Sequence, residues 1–327
     1  MQYLSKYRTE LMGFAILLIL FYHSKIYIPN VLFPVRLIKS IGYIGVDIFF
    51  LLSGIGIAYS LYNNSTKKIF FLKRFKRIIP IFWIILIIYF FIQYIEYNFN
   101  AKNMFLSFLG LDFIVLGNLK FWFIPAIFIS YLIAPFFYSL IAKYKTSITL
   151  TFTIIFIFLL FAIALYLAPH LLIFIIRLPI FLFGIYIGYN LKHKKSIPLI
   201  DSFMFNIIVF SISAITFIFL LTVDAKLRWS LGLWWYPSIF IAYPICFFIG
   251  HILNHYDNSK YFSTISNLFK IIGTLSLELY LIHSLILYST EDFTIDLPSV
   301  FLQATYIILS FIFALFIKYL FRKIHLS

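Results

Sequence analysis

Several titratable side chains lie inside long apolar runs of this 327-residue sequence. If the runs cross a bilayer, each such charge is costly and marks a functional site by default. Arginine in that setting suits anion binding, and histidine is the side chain that exchanges a proton near neutral pH. The set comprises His23, Asp47, Arg177, Glu278 and His283, with Arg8, Glu10, Arg74 and Arg77 at the starts of two runs.

These residues separate into two layers. Arg8 precedes His23 by 15 residues, which is about 22 Å along a helix. Arg74 and Arg77 have i, i+3 spacing and therefore share one helix face. The inner layer is Arg8, Arg74 and Arg77, and the outer layer is His23, Asp47 and Arg177. The sequence thus predicts an anion-binding inner mouth and a polar site on the far side.

Each of these groups also has a purely structural interpretation. Arg74 and Arg77, with lysines around them, could serve only as cytoplasmic anchors. His23 could be a hydrogen-bonded packing residue, Asp47 could serve only to bond a neighbouring helix, and Arg177 could serve only to pair with Asp47. Both interpretations stay open at this point.

One late run carries polar residues on two faces. Ser276, Tyr280 and His283 form a stripe at i, i+4 and i+7. Glu278 lies about 200° around the helix from Ser276. We expect only one of these faces to line a site.

Composition identifies the elements that must hold these residues. Hydrophobic residues make up 63% of the chain and charged residues 11%, with a mean hydropathy of +1.02, where a soluble domain has about 25% charged residues. Soluble, disordered and disulfide-stapled classes are therefore excluded. The net charge is +15, but the basic residues that produce it lie between the apolar runs, as membrane topology signals do. The charge therefore does not indicate nucleic-acid binding. Cys246 is the single cysteine, and no spacing resembles a metal site.

The pattern predicts an all-α polytopic membrane protein with one domain over 1–327. Ten runs are long enough to span a bilayer, whereas 103–117 is short and broken and predicts an interfacial or re-entrant segment. Eighteen of the 26 basic residues fall on one side, which predicts both termini in the cytoplasm and an external 289–299 loop. The runs are 9–27, 42–62, 78–96, 121–141, 148–167, 171–190, 204–222, 233–253, 270–288 and 300–320.

Six blocks, in order, resemble the acyltransferase-3 family of integral-membrane acyltransferases, and the resemblance covers nearly the whole chain. The family's R-x-x-R-x-x-P entry to a helix is matched by Arg74, Arg77 and Pro80. One departure is Met12, where many members have arginine. The blocks are LMGFAILLILFYH (11–23), GYIGVDIFFLLSGIGIAYSL (42–61), FLKRFKRIIPIFW (71–83), FWFIPAIFISYLIAP (121–135), RLPIFLFGIYIG (177–188) and LSLELYLIH (275–283).

The resemblance implies transfer of an acyl group, most often acetyl, from cytoplasmic acyl-CoA to a hydroxyl of a cell-envelope glycan or lipid-linked sugar. Acyl-CoA would be a co-substrate, with no permanently bound cofactor or metal. His23 would be the general base, oriented by Asp47. Arg177 and Trp122 would contact the oxyanion or the acceptor. Arg8, Arg74 and Arg77 would hold the CoA phosphates, and Glu10, Glu278, Tyr280 and His283 are further candidates.

The resemblance also implies a multi-pass protein of the bacterial plasma membrane, in contact with lipid and open to homo-oligomer formation. Two other classes compete. Intramembrane charges alone would suit a transporter or flippase for a glycolipid or an anion, although no internal repeat is present. A structural membrane subunit would leave the costly charges without a purpose.

Overall fold

The computed structural model describes residues 1–24, 28–63, 66–292 and 300–323, and all regular secondary structure within these ranges is helical. Short 3-10 turns occur at Asn30–Leu32 and Pro169–Leu171. The α-helices are α1 Gln2–Lys6, α2 Arg8–His23, α3 Phe33–Ser40, α4 Ile44–Asn63, α5 Lys67–Ile95, α6 Ala101–Phe108, α7 Asp112–Leu116, α8 Phe123–Lys143, α9 Thr146–Leu167, α10 Leu172–Ile175, α11 Leu178–Lys192, α12 Pro198–Asp201, α13 Phe203–Leu220, α14 Ala225–Ser230, α15 Trp235–His255, α16 Lys260–Thr274, α17 Ser276–Asp292 and α18 Val300–Lys323.

Seven helical segments in the described ranges are long and apolar enough to cross a membrane, which makes the chain a multi-pass membrane protein. They are α4, α5, α8, α9, the continuous Pro169–Lys192 segment, α13 and α15. The count rises to eight if α16 and α17 form one span. The predicted count of about ten is not confirmed, because α2 has only 16 residues and the apolar stretch within α18 is Ile307–Tyr319.

The predicted span 270–288 was wrong as a single straight helix. α16 and α17 meet at Leu275 with a bend of 63°. α16 is strongly amphipathic and lies against α2, whereas α17 turns into the protein interior. A break in a helix at membrane depth is tolerated where it lines a protein-enclosed cavity, and Ser276, the first residue of α17, does line one.

Glycines set how closely the central helices approach. At Gly54 of α4 a Cβ atom would meet the carbonyl oxygen of Phe181, and at Gly184 of α11 it would meet that of Leu51. These backbones pack without intervening side chains, as small residues allow in membrane proteins. This crossing fixes α4 against the segment that carries Arg177.

A second close crossing joins α2 to α16. A Cβ at Gly13 would meet the carbonyl oxygen of Phe269, and one at Gly273 would meet the carbonyl oxygen of Thr9. The contact is reciprocal, so neither helix can shift along the other without a clash. It places the start of α2 beside the break that precedes α17.

Residues 103–117 do not form a spanning helix, as predicted. α6 and α7 are short, and the turn after α7 has Gly117 at a φ of 66°, a conformation in which glycine carries no Cβ penalty. Asp112 accepts hydrogen bonds from Ser107 Oγ (2.8 Å) and Asn118 Nδ2 (3.3 Å). Burial raises the pKa of Asp112 above its ordinary value.

Polar contacts put three parts of the chain on one face of the protein. The terminal ammonium of Met1 pairs with Asp201. Lys6 Nζ donates to Asn254 Oδ1 at 3.1 Å and to Asp257 Oδ2 at 3.0 Å. The N-terminus, α12 and the end of α15 therefore share a side. That this side is cytoplasmic stays a prediction, as does the external 289–299 loop, whose residues 293–299 lie outside the described residues.

Candidate active site

Three arginines meet at one end of the bundle. Arg8 begins α2, and Arg74 and Arg77 lie one turn apart on α5. All three line one cavity of about 70 Å³. Within the described ranges none of the three lies within ion-pair distance of a carboxylate, and Arg74 Nε is buried without a hydrogen-bond acceptor. Clustered guanidinium groups without a counter-charge form a site for an anion.

Aromatic rings and a glycine hold this cluster in shape. The Arg74 guanidinium lies 5.7 Å from the ring centroid of Phe70 and 5.9 Å from that of Tyr131. The Arg8 guanidinium lies against the backbone of α4 at Gly56, where a Cβ atom would collide with its Nη1. Because Gly56 has no side chain, the Arg8 guanidinium can occupy the space beside it. Gly56 and Tyr131 were not predicted as site residues, since neither is charged.

Met12, the departure from the resembled family, also lines this cavity. It stands one turn beyond Arg8 on α2, so the position at which many members carry arginine does face the anion site. Here Arg8 alone supplies the charge from α2. The cavity wall at Met12 is consequently apolar.

The predicted stripe on α17 faces the same cavity. Ser276 and Tyr280 are lining residues. The Tyr280 ring lies 5.4 Å from the ring of His283, measured between centroids. Glu278, 8% exposed, is instead within electrostatic range of Lys318 and Arg77. Of the two faces, the stripe of Ser276, Tyr280 and His283 is the one that runs from the arginines toward the outer layer.

His283 ends this path beside His23. Their ring centroids are 5.2 Å apart. His23 Nδ1 is 3.0 Å from the carbonyl oxygen of Ile19, and His283 Nδ1 is 3.2 Å from that of Leu279. A carbonyl oxygen only accepts, so Nδ1 carries the hydrogen in each neutral ring. In this tautomer Nε2 of His23 carries no hydrogen, so it is the nitrogen that can accept a proton as a general base.

Asp47 pairs with Arg177. Arg177 Nε is 3.3 Å from Asp47 Oδ1, and both side chains are fully buried. Arg177 Nη1 also donates to the carbonyl oxygen of Ile173 at 2.6 Å. The guanidinium is enclosed by the rings of Trp122 (5.4 Å) and Trp235 (5.2 Å). This enclosure stabilises the cation in a setting where an unpaired charge would be very costly.

The structure does not bring Asp47 to His23. The nitrogen of His23 that an orienting carboxylate would contact is the one bonded to Ile19. Two tyrosines lie between: the ring of Tyr22 is 4.9 Å from that of His23 and 5.5 Å from that of Tyr43, by centroids. The prediction that Asp47 and His23 share a depth in the membrane does not settle whether their helices are neighbours, because depth carries no information on lateral packing.

Glu10 is the remaining candidate. It lies on α2, half a turn beyond Arg8, and is 7% exposed. It does not line the arginine cavity. Its burial so near the helix start is consistent with a role in packing α2, and no described contact links it to His23.

The sequence as a whole matches one family model. The family model described as an acyltransferase domain matches residues 11–323 of this chain. The chain belongs to the acyltransferase-3 family. Membership in this family implies acyltransferase activity and confirms the resemblance drawn from the six sequence blocks. No curated protein and no solved structure matches the chain.

Proposed function

We propose that this acyltransferase-3 member transfers an acyl group, most simply acetyl, from cytoplasmic acyl-CoA to a hydroxyl of a cell-envelope polysaccharide or a lipid-linked sugar. One observation carries the proposal. Side-chain contacts link the arginine cavity to His23: Tyr280 lines the cavity, its ring is 5.4 Å from that of His283, and the His283 ring is 5.2 Å from that of His23, by centroids. An anion site joined to a base suits a donor whose charged part and reactive part are far apart.

In the donor half, Arg8, Arg74 and Arg77 bind the phosphates of CoA. Guanidinium groups contact phosphate oxygens through two hydrogen bonds at once, and Arg74 Nε is a donor with no partner in the described chain. The pantetheine arm then extends past Ser276 and Tyr280. These two residues form part of the wall of the same cavity that the arginines line.

In the transfer step, His23 Nε2 takes the proton of the acceptor hydroxyl, and the oxygen attacks the thioester carbonyl carbon. The carbon–sulfur bond breaks, an ester forms, and the CoA thiolate recovers the proton from the imidazolium. The same residues permit a two-step route in which His23 is first acylated. Arg177 and Trp122 remain candidates for contact with the oxyanion or acceptor, although Arg177 already holds Asp47 and Ile173.

The proposal places the protein in the bacterial plasma membrane, with donor and acceptor on opposite sides. The test supplies purified membranes with acetyl-labelled acetyl-CoA and measures label in each envelope fraction, in wild type and in His23→Gln. Label appearing in a glycan or glycolipid fraction with wild type alone is the expected result. Movement of a glycolipid across the membrane without incorporation of label would favour the flippase alternative and overturn the proposal.

A further inference from the structure

A second polar cavity lies on the same side of the protein as His23. It has a volume of about 240 Å³ and lies between the ends of α2, α3 and α13 and the starts of α4 and α15. Its polar and aromatic lining is Tyr22, Ser40, Tyr43, Arg228 and Trp234, and the rest is aliphatic or Phe217. Among the described residues that line it, Arg228 is the one cation and there is no carboxylate.

Arg228 has a buried hydrogen-bond donor without an acceptor among the described residues. Its guanidinium lies 4.6 Å from the ring centroid of Trp234, and its Nε is buried without an acceptor. Asp224, four residues earlier, could have paired with it on the helix. Instead, Asp224 Oδ1 accepts a hydrogen bond from the backbone N–H of Leu227 at 3.0 Å. In the described residues no carboxylate lies within ion-pair distance of Arg228.

The rest of the cavity suits a sugar ring. Tyr22, Tyr43 and Trp234 present aromatic surface, and the Tyr43 hydroxyl donates to the carbonyl oxygen of Trp234 at 2.9 Å, which fixes one wall. Aromatic side chains with one polar end pack well against a ligand that is apolar on its faces and polar at its edge. The volume is below the roughly 300–1,000 Å³ of sites for drug-sized ligands. It accommodates a single sugar residue rather than a long glycan.

The position of the cavity relates it to the base. Tyr22 lines the cavity and its ring contacts that of His23, with centroids 4.9 Å apart. A ligand held against Tyr22 therefore lies one side chain away from the imidazole. Arg228 lines the same cavity.

We infer that this cavity binds the acceptor, and that the acceptor is an anionic sugar whose phosphate or carboxylate pairs with Arg228. Calling the ligand an acceptor rests on the proposed function, whereas the assignment of a binding site for an anionic sugar does not. Arg228 is thus a specificity-determining residue: it selects charged over neutral sugars. No part of the six family-like sequence blocks contains it.

Binding can be measured without any acyl donor. The full chain in nanodiscs is titrated by equilibrium dialysis with glucose 1-phosphate, glucuronate, glucose and inorganic phosphate. We expect either of the two sugar anions to bind at least roughly tenfold more tightly than glucose and than inorganic phosphate. Preference for glucose 1-phosphate over glucuronate, or the reverse, tells phosphate from carboxylate as the source of the charge.

The matched variants are Arg228→Gln, Arg228→Lys and Lys226→Gln. Lys226 is exposed on the same short helix and does not line the cavity. Arg228→Gln should remove the preference for charged sugars, Arg228→Lys should retain part of it, and Lys226→Gln should change nothing. Absence of sugar-anion binding by wild type, equal binding of glucose, or an equal loss in Lys226→Gln would each overturn the inference.

The outcomes separate this inference from the proposed function. If no acyl transfer is found but sugar anions bind in an Arg228-dependent way, the proposed function fails and the cavity assignment stands. If transfer occurs and the acceptor KM is the same in Arg228→Gln as in wild type, the cavity assignment fails and the proposed function stands.

Discussion

His23 and His283 come from opposite ends of the chain, and their imidazole rings lie 5.2 Å apart by centroids. Each ring donates Nδ1–H to a carbonyl one turn back on its own helix. Two imidazolium ions at this separation would repel strongly in a buried setting. The pair can therefore hold one added proton but is poorly suited to two, which fits a site that takes one proton from a hydroxyl and returns it to a thiolate.

The assignment of His23 as the base predicts that His23→Gln is inactive. Glutamine can still bond to the carbonyl of Ile19 but cannot carry the proton, and a positioned base contributes about 10²–10⁴-fold. Transfer from labelled acetyl-CoA should fall by that factor, normalised to folded protein, while CoA binding is unchanged. Turnover above about a tenth of wild type would show that His23 is not the base.

The arginine cluster predicts a graded loss of donor affinity. Arg77→Ala should weaken acetyl-CoA binding roughly ten- to hundred-fold, and Arg74→Ala by the same or less, because each removes a charge-assisted phosphate contact. Lys68→Ala, an exposed lysine near the start of α5, is the control and should have little effect. Equal small effects from all three, measured by binding to the purified protein, would favour a role as membrane anchors only.

Alanine substitutions at Gly54 and Gly56 should affect different properties of the protein. A Cβ in Gly56→Ala would meet only the flexible end of Arg8, so the fold should survive while acetyl-CoA affinity falls. A Cβ in Gly54→Ala would meet the backbone of Phe181, so the thermal midpoint should fall instead. Thermal unfolding and CoA titration of both variants give the comparison. A Gly56→Ala protein with wild-type CoA affinity would contradict the placement of Arg8.

The Asp47–Arg177 pair predicts a loss of stability when one partner is removed. Asp47→Asn leaves a buried cation without a counter-charge, which costs about 3–5 kcal/mol. The double variant Asp47→Leu, Arg177→Met removes both charges and should recover most of that loss. Thermal unfolding measures both. If Asp47→Asn unfolds like wild type yet turns over poorly, Asp47 acts on the chemistry and not on the fold.

Topology can be tested with single cysteines in a Cys246→Ala background. A cysteine at Asp257 should be shielded from an impermeant thiol reagent applied outside, because Lys6 ties that position to the predicted cytoplasmic N-terminus. One in the 289–299 loop should react. External labelling at position 257 would invert the orientation and place the arginine cluster on the wrong side for a cytoplasmic donor.

The grouping of the three arginines was predictable from the sequence, whereas the residues that lie beside His23 were not. Spacing and charge bias put Arg8, Arg74 and Arg77 in one layer, and the structure gathers them in one cavity. The same reasoning paired Asp47 with His23 because both lie in the outer layer. Periodicity gives the position and face of a residue on its own helix, but helix neighbours depend on packing, which here is set by glycine contacts between distant segments.

The break between α16 and α17 at Leu275 was also not predictable from the sequence. The run 270–288 is apolar enough to span, and no proline interrupts it. Just before the break, Gly273 packs directly against the backbone of Thr9 in α2. A contact between residues so far apart in the chain has no local sequence signal. The sequence predicted only that one of two faces would line a site, and the structure selects the face of Ser276 and Tyr280 over that of Glu278.

The crossing of Gly13 with Gly273 has a consequence for biosynthesis. During translation α2 enters the membrane early, whereas α16 is among the last helices to be made. The start of α2 therefore lacks its packing partner for most of translation. Until then Arg8 has neither α17 beside it nor a finished cavity to line. The cavity lined by the three arginines therefore forms only after α16 and α17 have been made, so it is among the last features of the fold to be completed.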